Sequence, residues 1–129
     1  MRKLVARRAN GRCEYCHRSQ KGQEATFHID HIVPFASGGE MASENLALAC
    51  VSCPLRKGAK EFAIVEDSKE MIRLYHPRKD NWNEHFEWNG VVLKGKTATG
   101  NTTIELLNLN RNLIQSIREE EILLSRHPG

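Results

Sequence analysis

Two doublets of identical spacing, Cys13-Glu14-Tyr15-Cys16 and Cys50-Val51-Ser52-Cys53, hold all the cysteines of the chain. Thiolates three residues apart can face one ion, and two such pairs complete the tetrahedral sulfur shell that Zn²⁺ takes in structural sites. The ion would join the entry and the exit of residues 17–49, a segment too short to bury a core of its own. Metal binding would then supply much of its folding free energy.

Other uses of four cysteines fit less well. Two disulfides need an oxidising compartment, whereas the opening residues MRKLVARRANGR have neither the apolar segment nor the cleavage site of an export signal, so a cytoplasmic location is expected. A thioredoxin-like redox pair would lie in a βαβ pattern, which the chain lacks. Residues Cys13 to His17 read CEYCH, the attachment signature of a c-type haem. That use requires export and leaves Cys50 and Cys53 without a role. His17 is expected to be an exposed residue following a zinc knuckle.

The chain of 129 residues has the size of one domain, and its longest apolar run, Leu46 to Val51, is far below the roughly 20 residues of a membrane-spanning helix. No membrane partner is expected. The net charge of +3 is unevenly spread: Arg2, Lys3, Arg7, Arg8, Arg12, Arg18 and Lys21 face only Glu14 in the first 21 residues. Arg56, Lys57 and Lys60 form a second basic patch. A basic front half suits a polyanion, nucleic acid first, with a merely solvated basic face as the alternative.

Periodicity and turn residues give an α+β chain. RKLVARRA predicts a short helix stopped at Asn10-Gly11. ATFHIDHIV, closed by Pro34, predicts a strand, SGGE a turn and NLALAC the return strand. PLRKGAKEFAIVE predicts a helix opening on Pro54, whose missing N–H has no partner in a first turn anyway. MIRLYH predicts a strand, and HFEWNGVVLKG a hairpin turning at Asn89-Gly90 in type I′ geometry. From Thr102 onward Leu109, Leu113, Ile117 and Leu124 share a helix face, with Arg118 to Glu121 on the wet side. The aromatics between Tyr75 and Trp88 are expected to fill core before they stack on bases.

The order CxxC, Asp30-His31-Ile32-Val33-Pro34, Gly38-Gly39, Asn45-Leu46, CxxC and Arg56-Lys57 resembles the HNH endonucleases, a ββα-metal nuclease family accompanied here by a zinc-binding cysteine quartet. The later YHPRKDNWNEHF is similar to the segment beyond the motif in some small stand-alone HNH proteins. The resemblance runs from Cys13 to Lys57 and implies a zinc-stabilised ββα-metal core, placed over residues 1–60 of an α+β fold; the hairpin and helix read from the residues beyond it make 61–129 an extension packed on that core.

It also implies a metal-dependent DNA endonuclease. His31 would be the general base that activates water, Asp30 the ligand of a catalytic Mg²⁺ or Mn²⁺, and Asn45 the residue that orients loop and histidine. Cys13, Cys16, Cys50 and Cys53 would hold the structural Zn²⁺, and Arg7, Arg8, Arg12, Arg56, Lys57 and Lys60 would contact DNA. The chemistry is sound in general terms, because phosphodiester hydrolysis needs an activated water and charge relief on the phosphate. Imidazole titrates near neutral pH, and a carboxylate suits a hard cation. On a regular strand Asp30 and His31 point to opposite faces, so the strand is expected to deform there if both serve one phosphate.

Pro54 departs from the pattern. The family has Asn or His after the fourth cysteine as a further metal ligand, and proline has no donor atom. His28, on the strand face of Asp30, is the nearest substitute, with His76 and His85 as remote ones. The competing function is a non-catalytic zinc-ribbon module that binds nucleic acid, its nuclease site degraded by Pro54.

Overall fold

A computed structural model describes residues 1–34 and 38–128. The element order mixes helices and strands, as the α+β expectation requires. Helix α1 (Arg2–Arg8) leads to the hairpin of β1 (His28–His31) and β2 (Leu46–Ala49), followed by α2 (Ser52–Lys57). A second hairpin joins β3 (Phe62–Ile64) to β4 (Met71–Arg73); a single-turn α3 (Trp82–His85) precedes the third hairpin, β5 (Phe86–Asn89) with β6 (Val92–Gly95). Helices α4 (Ala98–Leu107) and α5 (Asn112–Leu123) close the chain.

Helix α1 stops where two consecutive positive φ values, +55° at Asn10 and +65° at Gly11, turn the chain into the first cysteine doublet. β1 and β2 pair antiparallel with His28 opposite Ala49 and His31 opposite Leu46. Every residue of β2 is buried, so the hairpin is covered on both faces at that strand. The expected turn at 37–40 begins at Ser37, which lies outside the described residues; Gly38 within it has φ +88°.

Several expectations need correction. The strand ATFHIDHIV is paired only over its last part, His28–His31. The helix after the fourth cysteine begins at Ser52, two residues before Pro54, and ends at Gly58, whose φ of +60° breaks it; Phe62–Ile64 then form a strand. β-branched and aromatic content outweighs helix propensity there because Met71–Arg73 offers a partner. The third hairpin turns through Gly90 and Val91. Gly90 alone has a positive φ, which is type II′ geometry rather than I′, and Asn89 stays in β5.

The C-terminal helical stretch is two helices broken at Asn108, whose φ of +48° forms a left-handed cap. Its inner face is only in part the expected one: Leu109 is buried and Ile117 packs against the core. Leu113 and Leu124 are exposed, whereas Ile114, Arg118 and Glu121 are buried. Arg118 is 1% exposed because its guanidinium donates to the carbonyls of Leu109 (2.7 Å), Val91 (2.8 Å) and Cys16 (3.4 Å) and to Asn110 Oδ1 (3.2 Å), while lying 4.8 Å over the Trp88 ring. These contacts let a cation occupy a core position that periodicity assigns to water.

Candidate metal centre and active site

The two cysteine doublets come together as a buried cluster. All four thiols are free of disulfides, and their Sγ atoms lie within 4.8 Å of one another. Cys16 Sγ and Cys50 Sγ are 3.9 Å apart, close to the edge of about 3.8 Å that a tetrahedron with Zn–S bonds near 2.3 Å requires. In each doublet the amide of the second cysteine points at the sulfur of the first, Cys16 to Cys13 at 3.5 Å and Cys53 to Cys50 at 3.4 Å. Those N–H groups stabilise thiolates, and the Arg18 guanidinium beside Cys50 and Cys16 offsets their negative charge. The donor set, its burial and its spacing fit a structural Zn²⁺.

The first doublet is docked on the second strand. Glu14 exchanges hydrogen bonds with Leu48: its amide donates to the Leu48 carbonyl at 2.9 Å, and its carboxylate accepts from the Leu48 amide at 2.8 Å. Glu14 also pairs with Arg78. The α5 side chains complete the support, since Arg118 donates to the Cys16 carbonyl and Glu121 accepts from the Ser19 amide at 3.3 Å. His17 is not exposed: it stacks on Trp82 at 4.4 Å between ring centroids, and burial, then the nearby Arg12 and Arg118, lower its pKa to about 4.

Asp30 and His31 stand at the end of β1. The ladder has regular register through both, so the expected deformation is absent from the paired residues. Asp30 Oδ2 accepts from the Tyr15 hydroxyl at 3.0 Å. Burial raises the Asp30 carboxyl above its usual value, opposed by the Lys57 ammonium, the Tyr15 hydrogen bond and His31. Burial and the Asp30 charge push Tyr15 well up, so the phenol remains a donor. His31 Nε2 lies 3.3 Å from Met41 Sδ.

Asn45, one residue before β2, bridges to the loop after β1. Its Oδ1 accepts from the Val33 amide at 2.8 Å, and its Nδ2 donates to the carbonyls of Val33 (3.0 Å) and Glu40 (2.8 Å). Ile32 continues the ladder through a bond from its amide to the Asn45 carbonyl at 2.9 Å.

The remaining site residues divide. Arg7, Arg8, Arg56 and Lys60 are exposed, with Arg8 donating to the carbonyls of Ser43 (3.0 Å) and Leu46 (2.8 Å). Two expected DNA contacts are corrected. Lys57 is 3% exposed and its Nζ donates to the Ile32 carbonyl at 3.0 Å. Arg12 turns inward to the carbonyls of His17 and Arg126 and to Glu121 at 3.5 Å.

Pro54 lies in the first turn of α2 and brings no donor atom. His28 is exposed, opposite Ala49. His76 is held by its own loop: its Nδ1 accepts from the amides of Arg78 and Lys79, both at 3.1 Å. His85 Nδ1 lies 2.6 Å from Thr97 Oγ1. Among the described residues, the only set of three or more metal-donor side chains is the cysteine cluster. Sequence reasoning missed Tyr15 and gave Lys57 a different role, and both act on Asp30. Tyr15 lies inside the first doublet, but only the folded knuckle brings it to Asp30.

Residues 13–60 match the family model described as HNH endonuclease. Two curated relatives are the Septu protein PtuA of Bacillus mycoides (strain KBAB4), 25% identical over 93% of this chain and 20% of its own length, and the Septu protein PtuB of Bacillus thuringiensis, 27% identical over 80% of this chain and 38% of its own length. The chain thus spans well under half of either relative. No solved structure matches. No helix among the described residues is long and apolar enough to cross a membrane. The segment from Cys13 to Lys60, with its quartet of sulfurs and its Asp-His strand end, is thus similar to the HNH endonuclease family.

Proposed function

We propose that the chain is a metal-dependent DNA endonuclease that hydrolyses phosphodiester bonds. The observation that carries this reading is the end of β1, where Asp30 and His31 are consecutive and the histidine's charge acts on the carboxyl although the regular ladder points them to opposite faces, on a hairpin whose loop is tied by three hydrogen bonds to Asn45. His31 would take a proton from the water that attacks phosphorus, after which the P–O ester bond breaks and the leaving oxygen is protonated. A divalent cation, Mg²⁺ or Mn²⁺, bound at Asp30 would relieve charge on the phosphate and on the leaving oxygen. Asn45 fixes the loop, Tyr15 holds Asp30 by its hydrogen bond, and the Lys57 ammonium favours the carboxylate's charged form. Zinc on the four cysteines would keep the hairpin folded, leaving its strand end available for polar groups.

In this reading Arg7, Arg8, Arg56 and Lys60 contact phosphates. Residues 1–60 form the nuclease core, and 61–129 form an extension dependent on it. The bonds from Arg78, Arg118 and Glu121 to the knuckle and its flanks support that division. A cytoplasmic setting fits four reduced thiols.

A second reading, a zinc-ribbon module that binds nucleic acid without turnover, is favoured by Pro54, which brings no donor atom, and by the finding that among the described residues only the cysteines gather three or more metal donors. Incubating supercoiled plasmid with Mg²⁺, with Mn²⁺ or with neither separates the two. The enzyme nicks only with the cation; the binding module shows salt-sensitive retention and no product in any condition. Pro54→Asn should raise cation affinity or rate, and no gain would mean that the missing ligand is supplied elsewhere.

A further inference from the structure

A cavity of about 160 Å³ adjoins the strand end, between Ile32–Val33 after β1, the end of α2, and the segment Leu74–Asp80 after β4. Its polar wall is made by Lys57, Glu61, Arg73, Lys79 and Asp80, and Phe62 stands at its side. Lys57 connects the cavity to the candidate active site, because the same ammonium acts on Asp30 and bonds to Ile32. The Lys57 side chain is buried, and one acceptor is found for its three donors.

The chemistry of this wall is not that of a simple phosphate site. Ile32, Val33, Phe62 and Leu74 make much of it apolar, and it carries carboxylates as well as cations. Asp80 is neutralised by Arg73, whose two nitrogens reach its oxygens at 2.6 and 2.9 Å, and is further fixed by the His76 amide at 2.8 Å. Glu61 and Lys57 remain as an acceptor and a donor within the cavity wall. A nucleobase presents an apolar face, plus an edge bearing both donors and acceptors, and needs such a pair. An apolar cavity of about 150 Å³ accepts a benzene ring, so the volume here is that of one pyrimidine. Lys79 lines this cavity and two further depressions beside it, one with Arg8 and one with Asn45, and among the described residues its ammonium has no ion-pair partner. It stands where a backbone phosphate would pass from the cavity toward the strand end.

We propose that this cavity receives one unstacked nucleotide of the substrate strand, its base against Phe62 and between Glu61 and Lys57, and its phosphate at Lys79. The inference rests on the nuclease reading for the identity of the ligand, and extends it to substrates with unpaired nucleotides beside the cut. Its test does not depend on cleavage.

Binding is measured by fluorescence anisotropy on the zinc-loaded full chain, without added divalent cation, using labelled oligothymidylate and the same oligomer with abasic sites. The abasic strand should bind at least about 5-fold more weakly, as the loss of one stacked base implies. Phe62→Ala, a change at a half-exposed side chain, should cost oligothymidylate at least about 5-fold and leave the abasic strand unchanged. Lys79→Gln should weaken both strands alike and reduce the salt dependence. Ile64→Ala, on the same hairpin but outside the cavity, should change nothing. Equal binding of the two strands, or a Phe62→Ala loss that is the same for both, would overturn the proposal while leaving metal-dependent nicking of plasmid as a separate result.

Discussion

Replacing Arg118 with leucine keeps an apolar stem, withdraws the guanidinium and removes a charge that burial disfavours, yet it should destabilise the protein strongly. The guanidinium makes two short bonds, to Leu109 at 2.7 Å and Val91 at 2.8 Å, and weaker ones to Asn110 and Cys16. Each carbonyl left buried without a donor costs about 1–3 kcal/mol, and loss of the contact with Trp88 costs about 1 kcal/mol more. Relief of the guanidinium's desolvation and the added apolar contact recover part of this, leaving a net loss of about 3 kcal/mol. Urea unfolding of the zinc-loaded variant, followed by tryptophan fluorescence, should show a midpoint lowered in proportion, with melting reduced by roughly 10 °C. Because the Cys16 carbonyl is one of the acceptors, zinc transfer to a colorimetric chelator should also accelerate. A loss below about 1 kcal/mol would refute the reasoning, since the helix would then not brace the knuckle.

Three other perturbations read different parts of the molecule. Asn45→Ala removes three bonds to Val33 and Glu40 and should cost about 2 kcal/mol in stability, with plasmid nicking falling further than the folded fraction; equal losses would make Asn45 merely structural. Gly39→Ala drives a methyl into the Val33 carbonyl and should cost about 1–3 kcal/mol by thermal melting, whereas an unchanged melting temperature would mean that the loop shifts freely. Burial raises the Asp80 carboxyl, but Arg73 and the His76 amide carry it below its usual value; its contribution is therefore complete above about pH 4 and lost as pH falls through the lower folded value. Asp80→Asn should flatten the stability profile below about pH 4, and profiles of equal slope there would contradict that assignment.

Much of the core was legible because its constraints are local. Two cysteine doublets need one ion, Asn10-Gly11 can only turn, and the β-branched stretch around Asp30 needs the strand that NLALAC supplies. The misread segments are those in which a distant partner decides. Phe62–Ile64 pairs with Met71–Arg73 across a turn, so a stretch with helical spacing becomes a strand. Arg118 is buried because Leu109, Val91 and Cys16 present carbonyls to it, an arrangement that no periodicity contains. Lys57 reads as a surface cation next to Arg56, yet the helix turns it inward to Ile32 while Arg56 stays exposed. The phenol of Tyr15 reaches Asp30 only after the knuckle has folded onto β2.

The most direct measurement is nicking of supercoiled plasmid in Mn²⁺ by the parent protein and by His31→Ala, with the zinc content of each sample determined by elemental analysis. One zinc per chain in both proteins, and cleavage by the parent alone, is the predicted result. Equal cleavage by the variant, or folded protein without zinc, would contradict the account of a metal-pinned hairpin presenting an imidazole base to a DNA phosphate.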